Sequence, residues 1–328
     1  MCPPPSVIME TNKIYNMECV EGMKQKIPDD SINLVITSPP YNVGIDYDSW
    51  NDKMEWNDYL EFAKNWLSEV YRCLKKDGRI ALNIPYEINV MERGGRIFIV
   101  AEYWKIMQEV GFKFAGIVDL QEIQPQRVKL TAWGSWLKAS APYIYNPKEC
   151  VIIAYKEEWK KQGDGNSYFT DSDKHKEEFK ELVYGMWKYR AETRGLTKAN
   201  FSYDIPLKAL KILSFQEDIV LDPFIGSGTT AEACIRLNRQ YIGFEISKSY
   251  CNTMKCRTEQ ERLSADTFTQ NPTDFGSDKP NSFNMGDKVT ATPSPKLKQE
   301  VLTSHHPNIK SNFDLMLQAG FNKPEVKK

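Results

Sequence analysis

VLDPFIGSGTTAEA, residues 220–233, is the stretch that decides how the chain folds. Apolar residues lead into Asp222, glycines follow at 226 and 228, and Ala231 opens a helical run. Without a Cβ a glycine lets the backbone approach a ligand closely, and the first turn of a helix offers N–H groups that lack partners. DIVLDPF (218–224) supplies a strand, TTAEACIRLN (229–238) a helix, and QYIGFEIS (240–247) a second strand. Glu245 ends that second strand seventeen residues after Gly228, where a carboxylate can accept both hydroxyls of a ribose. Alone, G-x-G-x-x-A is equally a tight strand–helix turn. With a strand before it, a helix after it and an acid at the next strand end, it reads as a nucleoside-cofactor site. The residues of that site are Asp222, Pro223, Phe224, Gly226, Ser227, Gly228, Thr229 and Glu245. No lysine follows the glycines, which excludes a P-loop.

Two cofactor classes use such a turn. A nicotinamide enzyme normally opens with it, whereas here it lies near residue 225. The Asp222 carboxylate also suits the ammonium of S-adenosylmethionine better than a pyrophosphate. Methyl transfer is favoured, and a nicotinamide-dependent oxidoreductase is the reading from a different class.

Near the other end of the chain, LVITSPPYN (34–42) runs a buried-looking strand into Ser38, two prolines and Tyr41. Proline cannot donate to a sheet ladder, so the strand stops at Ser38. The turn is either merely stiff or a holder of something at the strand's C-terminal end. Around it KIYNMECVEGMKQKIPDDSINLVITSPPYN (13–42) reads as strand, short helix, strand. Trp56, Tyr59, Leu60, Ala63, Trp66, Leu67, Val70, Tyr71 and Leu74 then recur at the spacing of one buried helix face. Lys75 and Lys76 suit that helix's C-terminal end, with Gly78 as the stop. A strand RIALNIP (79–85) and a helix over about 97–110 ending at Gly111 follow. Alternating strands and helices predict an α/β fold with a doubly wound, mostly parallel sheet.

The 328 residues allow one large domain with a smaller attachment. The sequence predicts a catalytic half over 12–118, an irregular region over 119–196, a cofactor half over 197–264 and a polar, disordered tail over 265–328. Within the irregular region, hairpins and loops are expected over 120–156 and an insert-like polar stretch over 156–187. Lys plus Arg number 43 against 44 Asp plus Glu, so a uniformly basic coat is excluded but a basic cleft is not. Seven cysteines without framework spacing fit a reducing compartment, and three histidines leave little for a metal cluster, so no metal is expected. No apolar run is long enough to span a membrane, and a cytoplasmic protein is expected.

TSPPYN (37–42) together with LDPFIGSGTT (221–230) resembles the bacterial exocyclic-amino DNA methyltransferases, with the motif order of their β group. The resemblance covers roughly residues 12–262 and implies a circularly permuted, Rossmann-like methyltransferase fold using S-adenosylmethionine. It implies that Ser38, Pro39, Pro40 and Tyr41 form the catalytic motif. Their acceptors would localise the lone pair of a base's amino group toward the sulfonium methyl. Tyr41 would stack on a base flipped from the duplex. Glu18, with Cys19 beside it, falls at the position that bonds the adenine amino group, although Asn16-Met17 replace the usual preceding glycine. Phe201, in LTKANFSYDIPLKAL (196–210), falls in the motif contacting the methionine part, where Thr197-Lys198 replace the usual His-Pro. Serine at position 38 goes with cytosine-N4 methylation in this family, and adenine-N6 is the alternative.

Target recognition in the family lies in variable sequence between the two halves. Arg127, Lys129, Lys138, Arg190 and Arg194 in this chain's irregular region are the expected contacts to double-stranded DNA. Trp133, Trp136 and Trp187 lie among them and are expected mainly in local cores. A monomer or homodimer is expected, with a cognate restriction endonuclease as the further partner the resemblance implies.

Overall fold

The computed structural model describes residues 9–47, 49–90, 95–123, 134–135, 137–144, 146–163, 165–190 and 201–269. The chain begins with β1 (Lys13–Tyr15), α1 (Cys19–Lys26), β2 (Ile32–Thr37), α2 (Trp56–Cys73) and β3 (Leu74–Pro85). A ribbon of β4 (Ile88–Val90) and β5 (Gly95–Ile97) leads to α3 (Ile99–Val110), β6 (Lys113–Glu122) and β7 (Glu149–Tyr155). Then come α4 (Asp173–Val183), β8 (Met186–Tyr189), α5 (Asp204–Leu213), β9 (Ile219–Asp222), α6 (Thr229–Arg236), β10 (Gln240–Phe244) and α7 (Lys248–Thr269).

Eight strands form one sheet in the order β1-β10-β9-β2-β3-β7-β6-β8. The first five in that order pair in parallel, and β7 is antiparallel to both of its neighbours. Strand side chains alternate between faces, and each face carries its own core. Val35, Ile80, Leu82, Ile152 and Leu221 pack toward α1, α2 and α3, whereas Leu34, Ile36, Ala81, Val151 and Val220 pack toward α5, α6 and α7. From α2, Tyr59, Ala63, Trp66, Leu67 and Val70 are all buried, as their spacing predicts. Each such large apolar side chain contributes about 1.5–3 kcal/mol. From β9 the chain winds outward through α6 to β10, and from β2 it winds the other way through α2 to β3. The adjacent strands β9 and β2 therefore form a switch point, with a crevice at their C-terminal ends.

The expected doubly wound fold is present, with three corrections. First, α2 stops at Cys73 rather than Gly78. Leu74 is already extended (φ −65°, ψ 138°) and begins β3. Ile32 pairs with Leu74 but Leu34 with Arg79, so K-K-D-G bulges out of the strand. Gly78 is needed in the bulge because a Cβ there would stand 2.8 Å from the Lys75 carbonyl oxygen. The basic residue of the last helical turn is Arg72.

Second, the boundary at 118/119 falls inside β6, and β7 and β8 belong to the same sheet as the motifs. Third, α7 runs to Thr269, past the expected start of the tail. Arg127, Lys129, Arg194, Trp133, Trp136 and the tail from 270 onward lie outside the described residues. No helix among the described residues is long and apolar enough to cross a membrane.

Candidate active site

The proline turn leaves β2 at the centre of the sheet, and groups from β3 and α2 hold it. Ser38 Oγ and the Tyr41 hydroxyl are 2.6 Å apart, and Tyr41 donates to the Asn83 carbonyl of β3 at 3.3 Å. With the Tyr41 proton directed to Asn83, Ser38 donates to the Tyr41 oxygen and its own oxygen keeps lone pairs for an incoming N–H. The Tyr59 hydroxyl of α2 donates to the Pro40 carbonyl at 2.9 Å and meets the Tyr103 hydroxyl of α3 at 2.8 Å. Pro39 is buried. Burial first, then the nearby Glu149 charge, pushes the Tyr41 phenol well above its ordinary range, so it acts as a neutral hydroxyl.

Beyond Tyr41 the chain closes on itself. Asn42, in the left-handed region (φ 59°), donates to the Met54 carbonyl at 2.9 Å and accepts the Met54 N–H at 2.7 Å. Asp52 accepts the backbone N–H groups of Asn42, Val43, Gly44 and Ile45 at 2.8, 3.0, 3.0 and 2.9 Å. Asn42 therefore braces the loop, and no spacing in the sequence pointed to Asp52.

The glycine turn after β9 is held from behind. Gly226 (φ 51°) and Gly228 (φ 82°) are both left-handed, and a Cβ on Gly228 would stand 2.8 Å from Met254 Cγ of α7. Arg257 of α7 donates to the Ser227 carbonyl at 3.0 Å, reaches the Ser227 and Thr229 hydroxyls and pairs with Glu232. Ser227 and Thr229 are buried with their hydroxyls turned to Arg257, so the turn presents backbone rather than side chains to the crevice. Pro223 is buried too, and Phe224 packs its edge against Trp66 and Phe62 of α2, with centroids 5.3 and 6.1 Å away.

Glu245 follows β10, and Asn16 after β1 donates to its carbonyl at 2.8 Å, which draws the two strand ends together. Its carboxylate accepts the Ser247 N–H at 2.7 Å, and burial raises it to about 7. Glu18 caps α1, accepting the N–H groups of Val20 and Glu21, each at 3.0 Å. The Cys19 thiol is buried and donates to Glu18. Phe201 is half-buried against the core beneath α5.

Asp222 is a correction. The carboxylate expected to face a cationic ligand is 2 % exposed and turned to three donors of the protein. Thr37 Oγ1 donates at 2.7 Å, Thr230 Oγ1 at 2.6 Å and the Phe224 N–H at 3.0 Å. It joins the last residue of β2 to the first turn of α6, so it holds the two motifs side by side. Burial lifts it to about 6 against the pull of those donors.

Of the expected DNA contacts in the described residues, Lys138 and Arg190 are exposed, and the Arg190 N–H donates to Asp204 Oδ2 at 2.8 Å. Trp187 is core, 1 % exposed, with its ring N–H on the Leu182 carbonyl at 2.8 Å. Among the described residues no group of His, Cys, Asp and Glu is placed to hold a metal ion.

Sheet order, glycine turn and terminal acid define a doubly wound enzyme fold built for a nucleoside cofactor, with a second turn beside it that offers hydroxyls. The chain belongs to the N6/N4 DNA methylase family, which it matches over residues 32–256. The type II methyltransferase M.MjaVI of Methanocaldococcus jannaschii is 43% identical over 185 residues, 56% of this chain and 90% of that one. The fold resembles the PvuII DNA methyltransferase (cytosine-N4-specific), with a TM-score of 0.58 at 19% identity over 80% of this chain and 91% of that one. It also resembles TTHA0409 of Thermus thermophilus complexed with S-adenosyl-L-methionine, with a TM-score of 0.55 at 20% identity over 76% and 93%.

Proposed function

We propose that this DNA methyltransferase moves a methyl group from S-adenosylmethionine to the N4 amino group of cytosine in double-stranded DNA. The observation that carries this reading is the Ser38–Tyr41 hydroxyl pair at the end of β2, one strand away from the glycine turn of β9. The amino group of a base is a poor nucleophile because its lone pair is delocalised into the ring. Ser38 Oγ, whose proton is directed to Tyr41, accepts an amino hydrogen and draws the lone pair out of conjugation. Tyr41 stacks on the flipped base, and Pro39-Pro40, fixed through Tyr59, keep the turn from yielding.

The cofactor supplies an electrophilic methyl on a sulfonium. The chain's residues fit such a molecule: Glu245 would accept the ribose hydroxyls, and the backbone of Gly226–Gly228 allows close approach. Glu18 would reach the adenine amino group with the lone pairs its cap leaves, and Phe201 would line the methionine side. Lys138, Arg190, Arg127, Lys129 and Arg194 are proposed to meet the DNA, which makes 119–196 the target-recognition region although part of it is sheet. The type II name of the similar methyltransferase supports a cognate restriction endonuclease as partner.

Nucleoside mass spectrometry of unmodified DNA incubated with the protein and labelled S-adenosylmethionine tests this. N4-methylcytosine is expected. N6-methyladenine in its place would reassign the base, and no methylated nucleoside would sink the reading.

A further inference from the structure

Methylating an amino group releases a proton, and the proline turn offers no group to keep it. Ser38 and Tyr41 are neutral hydroxyls bonded to one another, and the prolines contribute only carbonyls. Among the described residues, Asp222 is buried and joins β2 to α6, Asp52 holds four backbone amides and Asp119 of β6 takes the Tyr86 hydroxyl. Glu149 is hydrogen-bonded as they are, and differs from them in position. As the first residue of β7 it lies opposite Pro85, at the C-terminal end of β3 and so at the level of the turn. Asn83 connects the two. Its carbonyl accepts Tyr41, and its side-chain amide donates to Glu149 Oε2 at 3.1 Å. Glu149 is half-buried, so it also has a route to solvent.

We propose that Glu149, held beside the proline turn through Asn83, accepts the proton that the amino group loses on methylation. The step rests on the amino-methyltransferase reading. The nitrogen lone pair forms the N–C bond while the C–S bond breaks and its electrons return to sulfur. The nitrogen, now cationic, gives one N–H proton to the Glu149 carboxylate and keeps the bonding pair. The carboxylic acid then passes the proton to water.

Among the described residues, the titratable groups that feel Glu149 are Tyr41 after β2, its neighbour Cys150 on β7 and Tyr189 of β8, and Asp119 and Glu122 of β6 act on the same Cys150 and Tyr189. Burial raises both phenols and lifts the thiol to about 12, so these three stay protonated near neutrality. The test is single-turnover methylation of unmodified genomic DNA between pH 5 and 9, with S-adenosylmethionine saturating so that cofactor binding does not enter the rate. Glu149→Gln is expected to be at least ten-fold slower than the native protein. Its Kd values for cofactor and DNA should stay within two-fold, and its rate should lack the native fall toward acid. Glu149→Asp should regain part of the rate, and Asp119→Asn should keep the acid limb. A Glu149→Gln rate within two-fold of native, or an acid limb that survives in it, overturns the proposal. Native protein that methylates no DNA overturns the functional reading instead.

Discussion

The two turns at the switch point are made of opposite materials. After β2 come two prolines, which have no N–H between them and no freedom in φ, so the turn presents hydroxyls and carbonyls on a stiff frame. After β9 come two left-handed glycines, which let a ligand approach the main chain while the Gly228 N–H is spent on the Ile225 carbonyl and the Gly226 N–H on Glu245. In the proposed reaction one turn accepts hydrogen bonds from an amine, and the other gives a cofactor room beside the main chain. They work on one reaction only while they are held at a fixed distance, and Asp222 supplies that hold through Thr37 and Thr230.

The largest effect expected is therefore at the link. Asp222→Ala leaves two buried hydroxyls without their acceptor and should cost about 3 kcal/mol in urea unfolding. Cofactor affinity and transfer rate should fall together; loss of one alone would mean that the turns are independent. Tyr41→Ala attacks the accepting turn only. Transfer should slow by about a hundred-fold, with cofactor Kd, read by calorimetry, within three-fold of native.

Glu245 sharpens the comparison from the cofactor side. Burial raises its carboxylate to about 7, and the ribose hydroxyls it is proposed to accept need it ionised. Below that value the site must first lose a proton, so Kd should rise by about ten-fold from pH 8 to pH 6. Glu245→Gln should bind more weakly and show no such trend. The smallest effect belongs to Gly226→Ala. A Cβ there finds open space, with Phe224 O nearest at 3.8 Å, and only the left-handed φ opposes it. About 1 kcal/mol of stability and a few-fold loss of cofactor affinity are expected.

Both turns were legible in the sequence because each is local: prolines or glycines between an apolar strand and the next element. The parallel strands were legible for a related reason, since burial on both faces leaves nearly unbroken apolar runs such as INLVIT in β2. What failed depends on distance or on mimicry. K-K-D-G after Cys73 has the composition of a helix stop, yet it serves as a bulge within β3. β6 leaves much of one face exposed and so lacks the apolar run that would have marked it as part of the main sheet. Asp222 looked like a ligand group because its partner Thr37 lies 185 residues away, beyond any spacing rule. Asn83 and Glu149 were missed for the same reason: an amide and an acid at strand ends carry no pattern until β3 and β7 pair.

That separation of Thr37 from Asp222 also orders events in time. During synthesis β2 emerges early and can pair with β3 at once, while its other edge waits for β9. Until the ribosome has passed residue 230, Thr37 has no acid to meet and the proline turn has no cofactor turn beside it. The centre of the sheet is thus among its last parts to close, as non-local pairing requires. Methylation competence should arrive late and all at once, when β9 enters the waiting slot.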